Sequence, residues 1–123
     1  MIVFDAVICN EDRHFGNFGI LRDNRTGEIL KPAPIFDNGL SLFNYAMEDD
    51  FEDIFAYAQT RRTADGADHV ERAKSVMGAK QREQLRHLLN FRFERHATHN
   101  LPAKRLKKIE AFVQERAREL LRD

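Results

Sequence analysis

Asn10-Glu11-Asp12-Arg13-His14-Phe15-Gly16-Asn17, preceded by the mostly apolar residues 4–9 and followed downstream by Ala33-Pro34-Ile35-Phe36-Asp37-Asn38-Gly39, decides how this chain is read. The carboxylate Asp12 is followed five residues later by the amide Asn17, in a polar loop that closes an apolar run. A second carboxylate, Asp37, arrives behind alternating apolar residues and leads into Gly39. Oxygen donors in this order suit a magnesium ion held against phosphates, and a carboxylate beside an acceptor hydroxyl suits proton uptake. Each of these residues alone is common in polar turns. The joint order carries the information.

Working outward, residues 18–22 read as a short strand, Asp23-Asn24-Arg25-Thr26-Gly27 as a turn and residues 28–31 as the returning strand, with Pro32 and Pro34 ending the pairing. On the other side, Ile2, Val3, Phe4, Ala6, Val7 and Ile8 are apolar on nearly all sides, which suits the last turns of a buried helix. Such a helix rarely opens a domain. The abrupt start at Met1 leads us to expect a core helix that has lost its upstream part, a fragment, a short reading frame, or one half of a split protein.

Beyond Gly39 the pattern turns helical. Leu40, Leu42, Phe43 and Tyr45 form an aromatic-rich connection, and Glu48, Asp49, Asp50, Glu52 and Asp53 crowd what reads as a helix start before Ile54. Residues 61–66 are a polar break, residues 68–77 a helix ending near Gly78, and residues 81–95 a further helix. Pro102 is expected at a first helical position. Leu106, Ile109, Phe112, Val113, Ala117, Leu120 and Leu121 then recur at three and four, an amphipathic final helix. His96 and His99 stand three apart without a third ligand at zinc spacing. The run Lys104, Arg105, Lys107, Lys108 is interleaved by Leu106 and Ile109 and reads as a solvated helix face. His69 and His87 read as surface or partly packed side chains.

The chain has 123 residues, with 20 Lys plus Arg against 20 Asp plus Glu, so zero formal net charge gives no general attraction to nucleic acid or anionic membrane. This length suits one modest core, less than a two-lobed enzyme. The single cysteine, Cys9, lies in an apolar run and reads as a small buried hydrophobe in a reducing compartment. Residues 1–9 are interrupted by Asp5 and too short for a membrane span or a signal peptide. A cytoplasmic protein is expected.

A catalytic Asp, an Asn on metal, a hairpin and a metal Asp before a Gly-containing loop is the order of parts in protein-kinase-like catalytic lobes. Residues 4–21 and 33–39 resemble the catalytic region of HipA-like serine/threonine kinases, the toxin kinases of bacterial toxin–antitoxin modules. The Asp-Arg-His-x-x-Asn signature of residues 12–17 is shared with phosphatidylinositol-kinase-like enzymes; Asn10 and the Pro-Ile-Phe-Asp approach to Asp37 favour HipA. The resemblance implies a catalytic Asp12, with Asn17 and Asp37 binding magnesium and, through it, ATP. By analogy with kinase loops His14 points toward the transferred phosphate, with loop bracing as the even alternative; Asn10 and Arg13 are expected to brace the loop. The implied fold is a mainly α C-terminal kinase lobe over residues 1–123 with a small β-hairpin. Residues 1–39 would carry the catalytic loop, hairpin and metal loop, and residues 40–123 the helical support.

No Gly-rich loop followed by a strand lysine lies upstream of Asp12, so the N-terminal lobe is expected to be absent and the chain inactive alone. The expected partners are a protein substrate, the missing lobe, an antitoxin-like protein or a second copy of the chain. Two alternatives stand beside the kinase reading. One is a non-catalytic kinase remnant that binds a partner or itself; the other is a fragment of a small-molecule or lipid kinase.

Overall fold

A computed structural model describes residues 1–122 as a small, mainly helical mixed domain with five α-helices and one two-stranded antiparallel hairpin. In chain order these are α1 (Ile2–Ile8), β1 (Ile20–Arg22), β2 (Ile29–Pro32), α2 (Ile54–Gln59), α3 (His69–Lys74), α4 (Ala79–Arg86) and α5 (Ala103–Leu121). Single 3₁₀ turns occupy Phe15–Asn17 and Asp49–Phe51. No helix among the described residues is long and apolar enough to cross a membrane.

The long helix α5 organises the body because its apolar stripe is continuous. Leu106, Ile109, Phe112, Val113, Ala117 and Leu120 are all buried, and α1, α2, α3 and α4 each pack against α5. Phe112 is the centre of this contact, edge-on to Phe43 at 4.6 Å between ring centroids and tilted against Phe55 at 6.0 Å. Pro102 sits one residue ahead of its expected place, as the N-cap.

The acidic cluster does cap a helix. Asp53 accepts from the Ala56 N–H at 3.0 Å, and farther on Asp68 accepts from the N–H groups of Val70 and Glu71 at 2.8 and 3.0 Å.

The helix expected over residues 81–95 is shorter. It stops at Arg86, and residues 91–95 run without regular structure. The backbone groups of this segment are taken by side chains of α5. Glu110 accepts from the Phe93 N–H at 3.0 Å, Gln114 donates to the Phe91 carbonyl at 2.9 Å, and Arg118 donates to the Leu89 carbonyl at 3.3 Å. Leu88, Phe91 and Phe93 still pack on the core, so their spacing records burial and not a helix.

The expectation for His69 is also corrected: its ring is 2 % exposed, held between α3 and the body, whereas His87 is exposed. Burial first, and the Arg116 guanidinium second, push the His69 pKa from 6.5 down to about 4. Glu110 shifts for a different reason. Hydrogen bonds from Arg95 above all, with those from the Phe93 N–H and Arg92, hold its carboxyl at about 2 instead of 4.5.

Both shifts make the folded chain bind fewer protons than the unfolded one in acid, so stability is complete above 6.5 and falls as the pH drops. His69 acts between 6.5 and about 4, Glu110 between 4.5 and about 2. The His69 loss is at most about 3 kcal/mol. Urea midpoints measured across this range should decline from 6.5 downward, and His69→Phe should remove the upper part of the decline. A midpoint that stays flat to 4.5 would contradict the assignment.

Candidate functional site

The site is built where α1 ends. Asp5 lies in the middle of that apolar helix and is 5 % exposed; a carboxylate there is tolerable only when paired. Its partners come from the loop that follows. Asn10 donates its amide to Asp5 Oδ1 at 3.0 Å, and Arg13 approaches both Asp5 oxygens, with Nη2 2.9 Å from Oδ1 and Nε 3.1 Å from Oδ2. The loop can fold back this sharply because Cys9 closes α1 in the left-handed region, at φ 51°. Cys9 itself is buried, and desolvation raises its thiol pKa to about 11, which removes it from nucleophilic chemistry.

Arg13 does more than neutralise Asp5. Its Nη1 donates to the carbonyls of Asn17 and Phe36, each at 2.6 Å, and its Nη2 donates to the side-chain oxygen of Asn38. One guanidinium therefore joins the Asp12–Asn17 loop to both neighbours of Asp37. Because both carbonyl oxygens lie 2.6 Å from the same nitrogen, they can be no farther apart than twice that distance. The segment after Asp37 is tied to the same place by backbone: Glu11 N–H donates to the Leu40 carbonyl at 3.1 Å, and Leu42 N–H to the Ile8 carbonyl at 2.7 Å.

Within the loop, Asn10 Oδ1 accepts from the Asp12 N–H at 3.1 Å. Asn17 is buried, and its Nδ2 donates to the Asp12 carbonyl at 2.7 Å and to Asp12 Oδ2 at 3.3 Å. With the amide nitrogen committed to Asp12, the Asn17 side-chain oxygen is left as an acceptor. His14 Nδ1 accepts from the Gly16 N–H at 3.0 Å, while its Nε2 stands 3.8 Å from Asp12 Oδ1. A Cβ at position 16 would lie 2.9 Å from His14 Cε1, so a larger residue there would push the His14 ring from this position. Asp37 is exposed and adopts φ 53°, a left-handed conformation that Asp accepts more readily than most residues.

The structure thus brings Asn10, Asp12, Arg13, His14 and Asn17 into one loop and places the backbone on either side of Asp37 against it. The residue that sequence reasoning passed over is Asp5. Its signal was a lone carboxylate in an apolar helix, eight residues before an arginine.

As a magnesium site the donors are suitable in kind. Asn17 offers an amide oxygen whose nitrogen is already committed, Asp37 an exposed carboxylate, and the guanidinium woven between their loops, Arg13, is paired with Asp5. No cluster of three or more His, Cys, Asp or Glu able to hold a metal occurs among the described residues. A nucleotide-borne magnesium needs fewer protein ligands, because phosphate oxygens and water complete its shell. His96 and His99 have ring centroids 5.1 Å apart on an exposed, non-helical segment and belong to no such cluster. No family model, no curated protein and no solved structure matches the chain.

Proposed function

We propose that this chain supplies the catalytic-lobe machinery of a HipA-like serine/threonine kinase that transfers the terminal phosphoryl group of ATP to a protein hydroxyl. The observation that carries the reading is the Arg13 clamp. It binds the Asn17 carbonyl on one side and the flanks of Asp37 on the other, the two positions where the motif order calls for metal ligands. Loops separated by twenty residues are thereby held as one unit.

Asn17 and Asp37 would hold magnesium, which when bound offsets the charge of the nucleotide phosphates. Asp12 orients the acceptor hydroxyl; as the acceptor oxygen bonds to phosphorus and the bond to the diphosphate leaving group breaks, the hydroxyl proton passes to the Asp12 carboxylate. The Asn17 amide on Asp12 Oδ2 fixes which way that carboxylate faces. His14, braced by the Gly16 N–H, keeps Nε2 on the Asp12 side and can meet a phosphate oxygen there.

Manganese tests the metal arm in the 123-residue chain. Added with ATP, it should broaden the amide resonances at Asn17 and Asp37 together, and Asp37→Asn should weaken the effect about ten-fold or more. Broadening at only one of the two positions would defeat the paired assignment. The same chain should transfer no phosphate unaided, since its residues include no phosphate-covering Gly-rich loop and positioning is most of this catalysis. Autophosphorylation abolished by Asp12→Asn would show that expectation to be too low.

A second reading is supported by the hairpin. All of β1 and β2 is exposed, with Ile20, Ile29 and Leu30 each more than half exposed. A two-stranded ribbon with no fully buried residue is marginal by itself. That favours a role in which the hairpin is covered by a partner, with or without catalysis.

A further inference from the structure

We infer that the cavity between α1 and α4 is a binding site for an unbranched alkyl chain with an oxygen acceptor at one end, the chemistry shared by a free fatty acid and a fatty ester. Both helices pack on α5, and the cavity lined by all three has a volume of about 630 Å³. Its floor belongs to the core, since Val7, Leu85 and Val113 are buried. Its mouth belongs to the surface: Met1, Phe4 and Ile35 are exposed. Phe91 and Phe93 form a fixed wall, edge to face at 4.8 Å between ring centroids. The backbone that carries them is tied to α5, with the Phe93 N–H on Glu110 and the Phe91 carbonyl on Gln114.

The lining asks for an apolar body. No Asp, Glu, Lys, Arg or His is among the lining residues, so a charged group inside would find no partner side chain there. Volume then selects among apolar bodies. A partner helix about 10 Å across would fill this space with about one and a half turns, too few to be recognised by its apolar spacing. At about 30 Å³ for each group the size of a water, the space takes roughly twenty such groups, the scale of a single alkyl chain.

The polar groups on the lining define the end of the chain. Gln81 Oε1 accepts from the Gly78 N–H at 3.1 Å, which leaves Gln81 Nε2 as a donor. Met1 at the mouth adds its nitrogen, a second donor, and Gln84 is the remaining polar side chain of the lining. With donors available and no acidic side chain to compete for them, the group that fits is an acceptor, a carboxylate or an ester carbonyl. A quaternary ammonium on the same chain has nothing to accept with and meets no carboxylate.

The inference stands apart from phosphoryl transfer and is tested by binding. The full chain is titrated with hexanoate, octanoate, decanoate, methyl decanoate and decyltrimethylammonium, each below its micelle concentration, while the Leu85 and Val113 methyl resonances are followed. Saturable shifts are expected at these buried methyls, with affinity rising about three- to four-fold for each added methylene. Decanoate and methyl decanoate should each bind at least about five-fold tighter than decyltrimethylammonium, the effect of one net hydrogen bond. Their order separates the sources: tighter decanoate assigns a free acid, equal or tighter methyl decanoate an ester. Gln81→Glu keeps an oxygen for the Gly78 N–H and removes the donor, so it should weaken both acceptor ligands about five-fold and leave the cation no weaker. Asp12→Asn should leave all of these affinities unchanged, so a failed kinase reading would not disturb them. Buried methyls that stay still, affinity indifferent to chain length, a cation that binds as tightly as decanoate and methyl decanoate, or a Gln81→Glu variant that binds them like the wild type would overturn the proposal.

Discussion

Replacing Arg13 with methionine is expected to lower the unfolding free energy by about 3 to 5 kcal/mol, the usual cost of removing one partner from a buried ion pair. Both side chains of the Asp5–Arg13 pair are 7 % exposed, so neither water nor salt can substitute for the lost partner. The substitution leaves Asp5 with only the Asn10 amide inside an apolar helix, and it frees the carbonyls of Asn17 and Phe36 at once. A surface pair would cost no more than about 1 kcal/mol. The two cases are therefore separable by urea unfolding alone.

The same experiment distinguishes a local brace from a link between loops. Arg13→Met combined with Asp5→Leu should recover much of the stability, because the uncompensated carboxylate has gone. It should not restore the joint response of Asn17 and Asp37 to manganese, because the guanidinium that joins the two loops at Asn17 and Phe36 is gone and only the backbone bonds at Leu40 and Leu42 remain. Recovery of both would reduce Arg13 to a neutralising charge. A loss near 1 kcal/mol in the single variant would show that the pair behaves as a surface one.

How much of this was legible in the chain depends on the range of the interaction. Local signals read well. The three-and-four spacing of α5, the turn at Asp23 to Gly27 and the acidic start of α2 all depend on neighbours a few residues away, and the structure contains each. The Asp12 and Asn17 pair is equally local, five residues apart on one loop. The segment after α4 misled because Leu88, Leu89, Phe91 and Phe93 have the spacing of a buried helix face. The competing partners, Glu110, Gln114 and Arg118, lie on α5, and no window over residues 81–95 contains them.

The rest of the site was hidden for the same reason. Asp5 looked like an interruption because its partner, Arg13, lies outside the helix pattern in which Asp5 appears. His69 read as a surface or partly packed residue because a capped, short helix with charged neighbours gives no sign that its first position is fully buried. Least legible of all was the chain leaving the Asp37 loop. Leu42 and Phe43 are consecutive non-glycine residues with positive φ, 48° and 64°, a conformation costing roughly 1 to 2 kcal/mol per residue. Nothing in their identities announces it.

That strained turn gives the second large expectation: Phe112→Ala should destabilise the chain by about 3 to 5 kcal/mol. A domain of this size has only about 5 to 15 kcal/mol in total, so the variant is expected close to the edge of folding. The loss has two parts. Phe112 is 1 % exposed at the meeting of Phe43 and Phe55, so its removal opens a cavity in the centre of the core. It also removes the shortest of the aromatic contacts of Phe43, at 4.6 Å, leaving Phe51 and Tyr57 against its ring and Arg105 on its carbonyl at 2.8 Å. Phe43 in turn positions the Leu42 N–H on the Ile8 carbonyl, beside the Asp5 and Asn10 contacts. Hydrogen exchange resolves the two parts. If the strained turn is held from α5, the Leu42 and Glu11 amides should lose protection in Phe112→Leu, where the cavity is smaller, by a larger factor than amides in the middle of α5. A uniform loss across all of them would mean that the aromatic contact stabilises the fold as a whole and does nothing particular for the loop that carries Asp37.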